Sequence, residues 1–208
     1  MPIDPDAALL AERQSLYETL QTLSDDEWDQ PSLCEGWRIR DLASHAHLAV
    51  TISLRVAVLG ILRNRGDYDR WMGGYAASLG DRPVSEILAS WEVASRSTKQ
   101  PPAARPAQSA LDCFVHHHDV LLPLGREVPS DPGRLRWMAD GVVAIGRPLG
   151  WGTRVKDLRL LATDIDWHYG TGPEVRGSAA AIIMAACGRD ALHDQLSGDG
   201  VAELQRRP

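Results

Sequence analysis

The sequence predicts an α+β fold that is mainly α: a helical bundle followed by a small α/β C-terminal domain. Three observations carry this reading. Five segments between residues 5 and 147 place their apolar residues at helical spacing. After Gly150 the character changes, and LRLLATDIDWH alternates loosely in the manner of a strand. The following SAAAIIMAACG is a small-residue apolar helix suited to close packing on a sheet. The expected domains are therefore 1–150, the bundle, and 151–208, the α/β part.

The elements follow in order. Residues 5–23 carry Leu9, Leu16, Leu20 and Leu23 on one stripe and end before SDDEWDQP. Residues 38–63 form one long candidate helix, with Leu42, His45, Ala49, Ile52 and Val56 aligned and Gly66 closing it. A third helix, 83–98, opens at Pro83 and carries Ile87, Leu88, Trp91 and Ala94. The proline-rich connector KQPPAARPAQ keeps the chain extended before a fourth, 107–122, which stops at Pro123 and Gly125. The fifth, 132–147, starts at Pro132 behind an Asp131 cap and stops before Pro148-Leu149-Gly150. Beyond the strand, the glycines of HYGTGPEVRGS mark a hairpin-like turn and PEVRG a second short strand. RDALHDQLSGDGVAELQRR supplies one or two short terminal helices.

Composition narrows the class. The 208 residues are 44% hydrophobic and 24% charged, as in an ordinary globular protein with a real core. The net charge is −6 with no Lys/Arg block, which argues against nucleic acid or an anionic membrane as partner. Cys34, Cys113 and Cys187 are odd in number and widely spaced, so neither a disulfide framework nor a cysteine-zinc motif is expected. The first residues, MPIDPDAALL, lack the pattern of a signal peptide, and the longest apolar run is interrupted by Arg55. The expected location is cytoplasmic.

The stretch LDCFVHHHDVLLPLG, residues 111–125, holds the densest chemistry. Each helical residue advances about 100°, so Asp112 and His116 share a face and Asp119 returns to within about 20° of it. His117 and His118 point about 100° and 200° away from His116. A carboxylate and a histidine at i, i+4 suit one divalent ion, and a further carboxylate suits the role of orienting the imidazole. A third ligand must come from elsewhere. His45 shares the apolar stripe of its helix, whereas His47 lies about 160° away and is expected to be exposed. His45, Asp112 and His116 thus form a three-ligand set with open positions, as in catalytic zinc sites. The same spacing also suits a satisfied core histidine with ordinary polar neighbours, and spacing does not choose between them.

Two quoted stretches carry a resemblance. DQPSLCEGWRIRDLASHAHLA is similar to the N-terminal signature of the mycothiol-dependent maleylpyruvate isomerase-like family, within the DinB-like helical-bundle superfamily. Gly36, Trp37, Arg38, Ile39, Arg40, Asp41, Leu42 and His45 stand in its tryptophan–glycine turn and following helix. Asp112, His116, Asp119 and Pro123-Leu124-Gly125 stand in its second signature, with aspartate where the family usually has glutamate. The tail from LRLLATDIDWH to LSGDGV resembles the family's small C-terminal domain.

The resemblance implies a DinB-like four-helix bundle holding a divalent metal, zinc in the best-understood relatives, on His45, Asp112 and His116. It implies that Asp119 orients His116, with His117 and His118 at the rim, and that mycothiol or a related thiol is the cofactor. The activity implied is an isomerase or thiol S-transferase acting on a small acidic or electrophilic substrate. A metal-dependent hydrolase and a non-catalytic small-molecule-binding module are the alternatives. Aspartate is one methylene short, so either the helices sit closer, or water bridges it to the metal, or the metal is held weakly. Arginines such as Arg82, Arg126 or Arg154 could hold an acidic substrate or cofactor, and nothing in the spacing selects among them. Cys34 is a minority candidate for approaching the metal, and Cys113 is expected to be a buried small hydrophobe. Trp28, Trp37 and Trp91 are expected in the core.

Overall fold

The computed structural model describes residues 3–101, 104–145 and 151–207. Part of the expected connector (residues 102 and 103), the expected stop Pro148-Leu149-Gly150 and the boundary at 150 lie outside the described residues. Two compact units are present: Leu9–Val128, and Met1–Ala8 with Pro129–Pro208.

The first unit is helical. Helix α1 (Pro5–Leu20) buries Leu9, Leu16 and Leu20 on the expected stripe. Helix α2 (Asp25–Trp28) is one turn, started by a reciprocal cap in which Ser24 and Glu27 satisfy each other's backbone N–H groups. Helix α3 (Ile39–Ala46) opens at Arg38, whose guanidinium and backbone N–H both donate to Asp41.

The single helix expected over 38–63 is instead three pieces. Helix α4 (Leu48–Thr51) follows a break at His47, and helix α5 (Leu54–Arg63) follows extended backbone at Ile52 and Ser53. The β-branched pair Thr51-Ile52 is a weak helix former, and the Ser53 hydroxyl accepts the Val56 N–H, capping a new start. Gly66 closes α5 as expected, its N–H donating to the Ile61 carbonyl.

Helix α6 (Tyr68–Gly80) was not anticipated, because Gly73-Gly74 and the small residues around them blur its apolar period. It packs closely on α3: a Cβ at Gly80 would stand 2.0 Å from Asp41 Oδ1. Helix α7 (Val84–Ser95) buries Trp91, whose indole N–H donates to the Ala43 carbonyl of α3 at 2.9 Å. Helix α8 (Pro106–Leu121) is buried without interruption from Cys113 to Leu121, and a tight turn at Leu122–Leu124 ends it. Leu16, Leu20, Trp28, Leu42, Trp91 and Val120 belong to the shared core.

In the second unit, helix α9 (Pro132–Ala144) begins at the expected Asp131 cap, and α10 (Trp151–Arg154) is a single turn. Strands β1 (Arg159–Ala162), β2 (His168–Tyr169) and β3 (Glu174–Gly177) form a sheet of order β2-β1-β3. β1 pairs antiparallel with β2, Leu160 opposite Tyr169, and parallel with β3, Leu160 opposite Val175. Helix α11 (Ala179–Ala186) buries nearly every side chain and packs against α9, and α12 (Val201–Arg206) follows. By compactness the units therefore meet between Val128 and Pro129, and α9, counted with the bundle in the sequence reading, packs with the C-terminal elements. The architecture is α+β and mainly helical, a multi-helix bundle followed by a small sheet region.

Candidate metal centre

One face of α8 aligns Asp112, His116 and Asp119. Asp112 is half-buried, His116 buried, and Asp119 wholly so. The two nitrogens of His116 have different surroundings. Nδ1 lies 3.1 Å from Asp119 Oδ2, in hydrogen-bond contact. Nε2 lies 3.6 Å from Asp112 Oδ1. A carboxylate on Nδ1 fixes the tautomer and leaves Nε2 as the nitrogen with a lone pair to give.

His45, at the end of α3, presents its ring edge-on to His116, the centroids 5.3 Å apart at 88°. Its Nδ1 is buried and has no hydrogen-bond partner among the described residues. Trp37 packs on the other side of the His45 ring at 5.0 Å. Trp37 is placed by a tight turn in which its N–H donates to the Cys34 carbonyl at 3.0 Å. Gly36 takes φ +77° in that turn, a conformation that favours glycine. The same loop is tied to α8 by the Leu33 N–H donating to the Asp119 carbonyl. It delivers the Cys34 thiol as a second donor to Asp119 Oδ2, at 3.3 Å.

The electrostatics follow. Burial and the neighbouring His116 push His45 down to about 4, against an opposing pull from Asp112. Burial acts in the same downward sense on His116, but the Asp112 charge and the hydrogen bonds to Asp119 and Cys34 outweigh it and lift the ring to about 10. The two adjacent imidazoles are thus set apart: His45 is disposed to be neutral, and His116, with a carboxylate beside each nitrogen, to be protonated.

Among the described residues, one ligand set gathers on His116. Cys34, His116 and Asp119 offer atoms within 4.8 Å of one another and can coordinate a divalent metal. The expected set of His45, Asp112 and His116 does not bring its three ligand atoms within that distance of one another. Ligand atoms at 2.0–2.2 Å from a tetrahedral zinc stand about 3.3–3.6 Å apart, and Nε2 and Asp112 Oδ1 have that separation. His45 Nδ1, on the ring that stands edge-on to His116, is a buried group in want of a partner. The nitrogen, nitrogen, oxygen donor set suits zinc.

The other expected residues lie elsewhere. His117 and His118 do not line a rim. Both are buried, His117 Nε2 against the Thr19 hydroxyl at 2.8 Å and His118 Nδ1 against the Phe114 carbonyl at 2.9 Å. The buried helix face takes every side chain of that triplet inward. His47 is buried rather than exposed, because the chain breaks there; its Nδ1 meets the Thr51 hydroxyl and its ring faces Trp91. Cys113 is a buried thiol, pushed up by burial and the Glu12 charge. Trp28 and Trp91 are core residues, whereas Trp37 is only half-buried against the candidate ligand. Arg126 donates to Thr22 and Arg154 to backbone carbonyls, while the exposed Arg82 stands 3.9 Å from Glu86.

Sequence reasoning missed Arg13. It is buried in α1, donates to the carbonyls of Ser97 and Lys99, and its charge reaches Cys113 and Asp112. Nothing in the spacing of α1 marks it, since its partners lie more than eighty residues away.

The fold is thus a helical bundle in which His116 and Asp119 of a buried helix and Cys34 of a neighbouring loop can coordinate a divalent metal. The family described as Mycothiol maleylpyruvate isomerase N-terminal domain matches residues 9–153, and the chain belongs to it. Two solved structures are similar over 94% of this chain and 91% of theirs. One is the mycothiol-dependent maleylpyruvate isomerase, at 17% identity and a TM-score of 0.54. The other is a histidine-to-alanine mutant of a protein so described, at 18% and 0.58. At these identities the likeness is one of fold. No curated protein matches the chain.

Proposed function

We propose that this chain is a metal- and thiol-dependent enzyme in which His45, Asp112 and His116 hold one divalent ion, zinc by donor chemistry. The observation that carries the reading is the division of labour on His116. Nδ1 is committed to Asp119, and Nε2 faces Asp112 at 3.6 Å beside the unpartnered His45. Family membership supports it, and the names of the similar structures suggest mycothiol or a related thiol as cofactor.

A divalent ion in such a place lowers the pKa of a bound thiol and supplies a thiolate at neutral pH. The chain's own residues do the rest. Asp119 accepts the Nδ1–H of His116 and holds its ring direction. Cys34 donates to the same carboxylate oxygen. Trp37 covers one side of His45 and limits water there. The chemistry this suits is thiol addition to an activated double bond, followed by elimination, or thiol displacement of a leaving group. Isomerase and thiol S-transferase are the corresponding activities, on a small acidic or electrophilic substrate.

A second reading puts the ion on Cys34, His116 Nδ1 and Asp119. The 3.1 and 3.3 Å separations weigh against it, since both donors already satisfy the carboxylate. Cobalt substitution tests the proposal. In the cobalt protein, added thiol is expected to change the visible spectrum, and His45→Ala to abolish that spectrum. An unchanged spectrum on adding thiol overturns thiol dependence and leaves a metal-bound water, hence a hydrolase.

A further inference from the structure

Helix α5 is unlike every other helix of its unit of comparable length: none of its residues is buried. Of the large apolar side chains that stand exposed, most lie between residues 54 and 68, with Leu54 at 73% and Leu62 at 68%. Ala57, Ile61 and Asn64 are partly covered, and Ala57 and Ile61 pack toward the Trp71 cluster of α6. The remaining arc, holding Leu54, Val58, Leu59 and Leu62 with Val56 at its edge, faces outward. An apolar face of this kind on a soluble helix marks an interaction surface.

Charge narrows the partner. Arg55, Arg63 and Arg65 are exposed on and just after this helix and form no ion pair among the described residues. No carboxylate occurs between Asp41 and Asp67. In a chain of net charge −6 this is a local cationic and apolar patch, which a reading of the whole-chain charge does not register. A second copy is a poor occupant. Antiparallel pairing of α5 about its centre sets Arg55 of one copy against Arg63 of the other, with no carboxylate on either helix to relieve them. The exposed apolar side chains on α5 are Leu and Val, whereas the energetic centres of protein interfaces favour Trp, Tyr and Arg in pockets. Leucine and valine beside long arginine stems suit a lipid surface, the stems reaching up to phosphate while the apolar arc enters the acyl boundary. A helix of ten residues is about 15 Å long, too short to span a bilayer and suited to lie in its plane.

We propose that α5 is a reversible docking element for an anionic lipid surface. It brings this chain to the membrane interface without inserting any segment across it. The proposal does not rest on the metal reading.

The test is flotation of the full chain with vesicles of phosphatidylcholine alone and with about a third phosphatidylglycerol. The chain is expected to float with the anionic vesicles, to remain behind with the neutral ones, and to be released by high salt. The double variant Leu54→Gln with Leu62→Gln is expected to weaken partitioning at least about ten-fold. Arg55→Gln with Arg63→Gln is expected to remove the dependence on anionic lipid. Val93→Gln, at an exposed apolar position (62%) on α7, serves as control and is expected to float as wild type. Because α5 side chains are exposed, unchanged circular dichroism melts are expected for all variants. Failure to float, or equal loss with Val93→Gln, overturns the proposal. So does a dimer in light scattering that becomes a monomer in the Leu54/Leu62 variant, since that makes the second copy the occupant.

Discussion

His116 is hydrogen-bonded at Nδ1 to Asp119 and faces Asp112 from Nε2 at 3.6 Å, both carboxylates from its own helix, and this decides what each neighbour does. Asp119 is wholly buried, so its charge is acceptable only while donors surround it, and His116 and Cys34 are two of them. Asp119→Asn is therefore expected to weaken zinc binding about 10–100-fold, measured by competition with a chromophoric chelator, while leaving the helix folded. The neighbouring His117 belongs to the core instead. Thr19→Val leaves its Nε2 without a partner and is expected to cost about 1–3 kcal/mol in chemical denaturation, with metal affinity unchanged. Burial holds His117 at about 3 in the fold against 6.5 ordinarily. Its contribution is thus full above pH 6.5 and is lost as pH falls toward 3. His117→Gln is expected to flatten the fall of stability in that window. The shared face of Asp112, His116 and Asp119 was legible in the sequence, because helical period fixes it. The depth of that face was not, and so His117 and His118 were expected at a rim.

At the scale of elements, α8 is the rigid carrier and α3 brings His45 to it. The start of α3 at Arg38 was legible from its motif, and α7, α8 and the Asp131 cap of α9 from apolar period and capping residues. The breaks at His47 and Ser53 were not, since Leu42, Ala49, Ile52 and Val56 keep a helical period through them and only local capping ends it. Nor was α6, whose close approach to α3 depends on a glycine rather than on an apolar stripe. Gly80→Ala drives a methyl into Asp41 and is expected to destabilise by about 1–3 kcal/mol. Gly74→Ala, on the same helix with nothing within 4 Å, is expected to stabilise by about 0.5–1 kcal/mol. Thermal melts of the pair check both signs.

At the scale of the whole molecule, the sequence showed a mainly helical part and a sheet-bearing tail, because strand alternation and helical period differ by nearly a factor of two. Where the compact units divide was less legible, since α9 has the period of a bundle helix and only tertiary packing assigns it to α11. All the candidate ligands fall within residues 34–119 of the first unit. The central claim is that the ion sits on the Nε2 side of His116. Metal content by plasma mass spectrometry, on purified wild type, His45→Ala and Cys34→Ser after dialysis, tests it directly. The account predicts about one divalent ion per chain in wild type, its loss in His45→Ala and its retention in Cys34→Ser. A wild type without divalent metal, or an ion kept in His45→Ala and lost in Cys34→Ser, would contradict it.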